Sequence, residues 1–323
     1  MTAESLDNGA ERLGEAVRAV YQTGQTDYSL EPLVRVDAVG APVGRISNGD
    51  SVVFCCRRGE REVEMTEAFT SPDFPHFERP DLSNLEFVIL TLYHEKFKDL
   101  PVAFAPINIP ETLGEAVSRA GKKQLRIAES EKFAHVTFFL NGGQNQPFPG
   151  EEDIRILSPK GIAFDQVPEL RLPLVADEVL KGISGGVELI ITNFANGDVI
   201  GHTSNASAKI KCAEIIDHHL ERVVQAAWSA GYVVVIAADH GNLEVLYTAD
   251  GSPHVAHTSN PVPFFLIDPQ CQATIRPADG CLADIAPTLL EILGISQPVK
   301  LTGASLLHGH EWGEARHALV IIM

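Results

Sequence analysis

Between residues 10 and 23 apolar side chains recur every three to four positions. Leu13, Ala16, Val17 and Val20 form one stripe, and this spacing predicts an amphipathic helix. The period then shortens. Val34-Arg35-Val36 and Ser51-Val52-Val53-Phe54-Cys55-Cys56 read as short strands, the second entered through an Asn48-Gly49 turn. Residues 63–70 predict a short helix. Glu86-Phe87-Val88-Ile89-Leu90-Thr91-Leu92 is apolar at nearly every position, as expected of a strand covered on both faces.

Pro101, Pro106 and Pro110 then cluster in Pro-Val-Ala-Phe-Ala-Pro-Ile-Asn-Ile-Pro. This stretch is expected to link two domains, residues 1–104 and 105–323. After it, helical and strand periods alternate as βαβ units do, which predicts an α/β fold. Helices are expected at 112–120 (closed by Gly121), 175–183, 206–231 and 282–293 (closed by Gly294). Strands are expected at 124–128, 136–140, 187–192, from Tyr232 onward, and at 262–267. Leu319-Val320-Ile321-Ile322 predicts an edge strand or a disordered end.

Composition narrows the function classes. Of 323 residues, 45% are hydrophobic and 21% charged, the balance of a soluble globular protein. No apolar run reaches membrane-spanning length and the first residues are polar and acidic. Neither a membrane nor a secretory role is expected, and the expected compartment is the cytoplasm. A formal net charge of −18, unrelieved by any basic stripe, argues against nucleic acid as a partner. A small anionic substrate stays compatible, provided metals and a few Arg or Lys reverse the local potential. Five cysteines without a Cys-x-x-Cys pair read as buried, reduced thiols.

Three segments carry candidate chemistry. The run Tyr232-Val233-Val234-Val235-Ile236 closes on Ala237-Ala238-Asp239-His240-Gly241-Asn242, which puts an oxygen and a nitrogen ligand at the carboxyl end of a buried strand. Open α/β sheets bind ligands at that edge. In NFANGDVIGHT, Asp198 and His202 lie four residues apart, so one loop-to-helix turn can aim both at one ion. In HVAHTSNP both His254 and His257 are candidates, and periodicity does not choose between them. Mixed carboxylate and imidazole sets suit divalent ions that activate oxygen nucleophiles and neutralise phosphate. Arg58 and Arg61 follow an apolar strand, where guanidinium forks can grip phosphate or carboxylate. Lys132 sits just before the 136–140 segment.

The stretches GRISNGDSVVF, PVAFAPINIPETLGEAVSRAGKKQLRIAESEKFAHVTFFLNGG, PFPGEED, NFANGDVIGHT, AADHGN, HVAHTSNPVPF and LADIAPTLLEILG run in order from Gly44 to about Leu306. Together they resemble the cofactor-independent (2,3-bisphosphoglycerate-independent) phosphoglycerate mutases of the alkaline phosphatase superfamily. The resemblance implies an alkaline-phosphatase-like sheet with helices on both faces, plus part of a second, substrate-holding α/β domain in residues 1–104. It implies two manganese-type ions, zinc being the alternative that the same ligands suit, and a serine that accepts the phosphoryl group. By motif, Asp198, His202 and His257 match the ligands of one ion, Asp239 and His240 part of the second ion's shell. Lys132 matches the active-site lysine, acting in catalysis and substrate binding, and Arg58 and Arg61 match two substrate-binding arginines. The implied substrate is phosphoglycerate or a similar small acid.

The departures are specific. The family begins with a strand carrying a metal-binding aspartate, followed by the nucleophilic serine, and this chain matches neither. The sheet is therefore expected to lack its first strand, leaving an unpaired edge or groove, and a partner chain is one expected source of the missing part. Glu60 stands where the family has an aspartate, and Leu92-Tyr93-His94-Glu95 where it has a Thr-Glu-Tyr-Asp-like strand end. Ser184, Ser204, Ser207 and Ser259 read as turn or cap residues, so no nucleophile is assigned. Mutase-type phosphoryl transfer is the expected function. The alternatives are a diverged phosphoryl or phosphonyl transferase on a related small acid, and a non-catalytic paralogue.

Overall fold

The computed structural model describes residues 3–25, 30–56, 61–105, 107–270, 274–276, 280–308 and 315–323. The chain divides into two compact units, Met1–Ala105 and Pro106–Met323.

In the first unit, helix α1 (Ala3–Tyr21) begins earlier than its apolar stripe suggests. That stripe is only half-buried at Val17 and Val20, and Leu13 is exposed. Strands β1 (Ser51–Phe54), β2 (Glu86–Thr91) and β3 (Val102–Phe104) form a parallel sheet in that order, with α2 (Arg61–Thr70) between β1 and β2. Phe87 and Ile89 point from alternate positions of β2 into a small core. There Phe69 of α2 stacks on Phe87 with ring centroids 5.5 Å apart. The proline-rich stretch contains β3 and then crosses into the second unit.

The second unit contains α3 (Leu113–Arg119), β4 (Gln124–Glu129), α4 (Phe133–Val136), β5 (Glu151–Ile156), α5 (Leu172–Ser184), β6 (Leu189–Asn193), α6 (Asn196–Gly201), α7 (Ala206–Ser229), β7 (Val233–Ala237), β8 (Phe264–Ile267), α8 (Ile285–Ile292) and β9 (Ala318–Ile322). Six strands make one sheet in the order β5-β4-β6-β9-β7-β8, parallel except for β8 against β7. The central strands are buried on both faces, and their alternate residues serve two cores. Ile190, Val234, Ile236, Leu319 and Ile321 meet α5 and α7 on one side. Leu189, Ile191, Val233, Val235, Ala318 and Val320 meet α3 and α8 on the other. Continuous Val/Ile/Leu runs suit this two-sided burial.

In this unit two elements differ from the sequence pattern, and in the first unit residues 34–36 form only an isolated bridge, Val36 to Pro42, instead of a strand. Residues 136–140 are not a strand: α4 ends at Val136, and turns follow to Gly142. The position beside β4 belongs instead to β5, whose Glu-Glu-Asp-Ile-Arg-Ile sequence is too polar to announce a strand. The tail is neither an edge strand nor a disordered end. Strand β9 pairs with β6 on one side and β7 on the other, which places it inside the sheet.

Candidate metal centre

Strands β6 and β7 end at the same rim of the sheet. Beyond β6, Phe194 N–H donates to Ile322 O (2.8 Å), and the chain turns into α6, which carries Asp198 and ends at His202. Beyond β7, Met323 N–H donates to Ala237 O (3.0 Å), and the chain continues into Asp239 and His240. The third segment, residues 253–258, arches over both. Main-chain bonds hold its ends: His254 N–H to Leu246 O (3.0 Å) and Thr258 N–H to Gly241 O (2.9 Å).

These loops bring Asp198, His202 and His257 together, with one potential ligand atom from each lying within 4.8 Å of the others. His257 Nε2 is 3.0 Å from Asp198 Oδ1 and 3.0 Å from His202 Nε2, which is itself 3.1 Å from the same carboxylate oxygen. His240 joins them. Its ring stacks on that of His257 at 3.6 Å between centroids, and its Nε2 is 3.8 Å from Asp198 Oδ1. His254 is not part of this cluster. On the other side Lys132, buried, places Nζ 2.7 Å from Asp198 Oδ2 and 3.8 Å from Asp239 Oδ2.

The electrostatics follow from the packing. Burial alone would raise the Asp198 pKa, but the Lys132 ammonium and the imidazoles of His202 and His240 outweigh it and hold the carboxyl well below the usual carboxylate range. His202 Nδ1 pairs with Val255 O at 2.8 Å. A carbonyl can only accept, so Nδ1 donates the hydrogen to Val255 O, and Nε2 is turned toward Asp198 and His257. A carboxylate and two imidazole nitrogens converging at about 3 Å form a donor set that fits one divalent ion. Beside the cluster, His240 Nδ1 and Asn242 Oδ1 are among the buried polar atoms without a hydrogen-bond partner.

Several supporting residues carry no chemical signature in the sequence. Buried Asn242 directs Nδ2 to Asp198 O and Oδ1 at 3.4 and 3.3 Å, and any Cβ at Gly201 would collide with its side chain. Glu244 accepts from Asn242 N–H (2.6 Å), from Asn260 Nδ2 (2.9 Å) and from the Thr258 hydroxyl. Burial would raise its pKa, but these bonds more than offset it, to about 2. Gly241 lies so close to Thr258 Oγ1 and the Glu244 carboxylate that a Cβ there would overlap both. From α7, Lys209 reaches His254 O. Beside the cluster, Asp239 and His240 also line a cavity of about 600 Å³, walled by Phe264, Cys281, Ile285 and Leu306 among others.

Of the remaining predicted residues, Arg58 lies outside the described residues, and Arg61 is the first residue of α2 in the other unit. Of the cysteines, Cys55, Cys56, Cys212 and Cys281 form no disulfide among the described residues. Only Cys212 is buried, which pushes its thiol up to about 12; Cys55 and Cys281 are exposed rather than buried. Cys271 lies outside the described residues.

A family model described as the metalloenzyme superfamily matches residues 25–297. The 2,3-bisphosphoglycerate-independent phosphoglycerate mutase of Syntrophotalea carbinolica is 47% identical over 307 residues, covering 94% of this chain and 59% of its own. The protein of the same name from Moorella thermoacetica is 45% identical over 295 residues, covering 91% and 56%. A crystal structure of Leishmania mexicana phosphoglycerate mutase at low cobalt concentration matches with a TM-score of 0.74 and 26% identity, over 85% of this chain and 53% of that one. The α/β architecture is thus the alkaline-phosphatase-like one of this structural relative. The chain spans less than two thirds of the length of the curated relatives it matches.

Proposed function

Because the chain belongs to the metalloenzyme superfamily and, within it, to the 2,3-bisphosphoglycerate-independent phosphoglycerate mutases, we propose that it forms the metal-binding part of an enzyme interconverting 3-phosphoglycerate and 2-phosphoglycerate. The observation that carries this reading is the convergence of Asp198, His202 and His257 at one sheet rim, with Asp239, His240 and Lys132 beside them.

Asp198, His202 and His257 would hold one divalent ion, and Asp239 and His240 would contribute to a second. Manganese is the assigned metal, with zinc the alternative compatible with oxygen and nitrogen ligands. Such ions neutralise charge on a phosphoryl group and acidify an oxygen nucleophile. The chain's own residues do the rest. Asp198 stays ionised at neutral pH, and the Val255 carbonyl fixes the tautomer of His202. Lys132 holds an ammonium at the junction of the two aspartates, where it can contact the transferring phosphoryl oxygens and offset their charge. Arg58 and Arg61 are assigned to grip the phosphate and carboxylate of the substrate, by resemblance alone. By the same resemblance, the phosphoryl-accepting serine belongs to a segment that this chain does not match. A glycolytic role in the cytoplasm follows from the same resemblance. The structure adds only that no helix among the described residues is long and apolar enough to cross a membrane.

The test is turnover of 3-phosphoglycerate with Mn2+, using this chain supplied with the N-terminal part of a curated relative. Asp198→Asn and His257→Ala should each lower turnover by about a hundredfold or more, the scale set by losing one preorganised electrostatic group. Unchanged turnover in either variant would overturn the assignment.

A further inference from the structure

His257 is the most weakly embedded of the three clustered residues. It sits on an arch whose main-chain bonds stop at His254 and resume at Thr258, so the three residues between depend on what anchors their flanks. The same arch supplies Val255 O, the acceptor that orients His202. A displaced arch would therefore move one imidazole and release another.

Each flank has a charged anchor. On the N-terminal side Lys209, 1% exposed, crosses from α7 and donates from Nζ to His254 O. Burying an ammonium against a neutral carbonyl is costly, and burial alone depresses its pKa. Apart from His219, the other buried side chains of α7, such as Cys212, Ile216 and Val223, are apolar, and a Met at 209 would cover the same surface without that cost. On the C-terminal side Glu244 gathers the Thr258 hydroxyl, Asn260 Nδ2 and Asn242 N–H on one carboxylate. It thereby ties the arch to the loop that carries Asp239 and His240.

We propose that Lys209 and Glu244 act as a two-point clamp, positioning residues that set His257 and the Val255 carbonyl for metal binding. The proposal rests on the reading that Asp198, His202 and His257 hold a divalent ion. Outer residues that orient metal ligands are generally worth ten- to a hundredfold in affinity. Neither clamp residue would touch the ion.

The test titrates Co2+ into the full chain, following affinity by calorimetry and coordination by the visible absorption of the bound ion. Variants are Lys209→Met, Glu244→Ala, Glu244→Gln and, as the control on the site itself, Asp198→Asn. Lys209→Met and Glu244→Ala should each weaken Co2+ about ten- to a hundredfold and alter the absorption band. Glu244→Gln keeps one acceptor oxygen and should fall between Glu244→Ala and the parent. That graded spectral change is a readout that loss of stability alone does not produce. Glu244 is exposed, so its variants keep the test decisive should Lys209→Met fail to fold. If Asp198→Asn abolishes binding while both clamp variants stay within twofold of the parent, the clamp is overturned and the metal site stands. If Asp198→Asn binds Co2+ like the parent, the metal reading itself fails and the clamp loses its object.

Discussion

The placement of β9 can be tested by Leu319→Ala. Leu319 is fully buried, lies in register with Ile190 of β6 and Val234 of β7, and packs into the core beneath α5 and α7. Removing its three outer carbons forfeits about 0.8 kcal/mol of transfer free energy per carbon, roughly 2.4 kcal/mol. The cavity left between two strands that cannot close up adds to this, so a cost of about 3–4 kcal/mol is expected, inside the range of about 2–5 for such truncations. At about 2–4 °C per kcal/mol for a domain of this size, the melting midpoint should fall by roughly 6–16 °C. Urea unfolding followed by near-ultraviolet circular dichroism gives the free energy directly, with the m-value unchanged. Leu282→Ala, at a half-exposed position, serves as the reference. An edge strand or disordered end would lose less than about 0.5 kcal/mol, as surface substitutions do. A loss that small at Leu319 would refute the central position of β9.

Three other substitutions probe the rim and one edge of the sheet. Gly241→Ala forces a Cβ into Thr258 Oγ1 and the Glu244 carboxylate, so the unit should lose about 1–3 kcal/mol and Mn2+ affinity should drop more than tenfold by calorimetry; parent-like values would show that the two loops need not touch. Lys132→Met strands Asp198 in a largely buried setting and should destabilise the metal-free protein by about 3 kcal/mol; adding Mn2+ should then raise the melting temperature more than it does in the parent, and an equal rise would refute the electrostatic role of Lys132. At Asp153, opposite Arg126 in the β4–β5 register, burial and neighbouring Glu151 push the carboxyl up to about 6, against the lowering pull of Arg126. Because this folded-state pKa lies above the ordinary 3.8, the group favours folding below pH 4 and loses that contribution as pH rises to about 6. The stability of the parent relative to Asp153→Asn should fall across that window in urea melts, and a flat difference would count against it.

What was legible in the sequence is what local pattern encodes. Strands β6 and β7 announced themselves because burial on both faces demands unbroken apolar runs. Thr112, whose side chain accepts from Glu115 N–H, marked the start of α3. Strand β5 was illegible because only Ile154 and Ile156 pack against the core, while Glu152 and Arg155 face water and the half-buried Glu151 and Asp153 are acidic. Residues 136–140 misled for the complementary reason. Their β-branched and aromatic side chains fit a strand by composition, yet pairing partners decide strands, and β5 already holds the place beside β4. Strand β9 was read as a strand but not placed, since nothing in Leu-Val-Ile-Ile states that β6 and β7 lie apart to receive it.

The same distinction divides the site. Asp198, His202, Asp239, His240 and His257 could be picked out because each sits in a short motif at a strand end. Lys209, Asn242 and Glu244 could not, because their part depends on which loops the sheet order brings together. Strands β6 and β7 are not neighbours. With β9 between them their ends stand about 10 Å apart, two strand spacings. Asp198 Oδ1 and His240 Nε2 nevertheless approach to 3.8 Å, so the two loops and their side chains together bridge the end of β9. That close approach sets the demands on the surrounding residues. Gly201 and Gly241 lack a Cβ where the loops press against Asn242, Thr258 and Glu244, and Asn242 ties one loop to the other through Asp198. Lys132 places one ammonium between the carboxylates of Asp198 and Asp239 and offsets part of their charge. The arch with His257 then closes over a pair of loops already drawn together. On this account the ligand geometry is a consequence of strand order, and loosening β9 should slacken the metal centre along with the core.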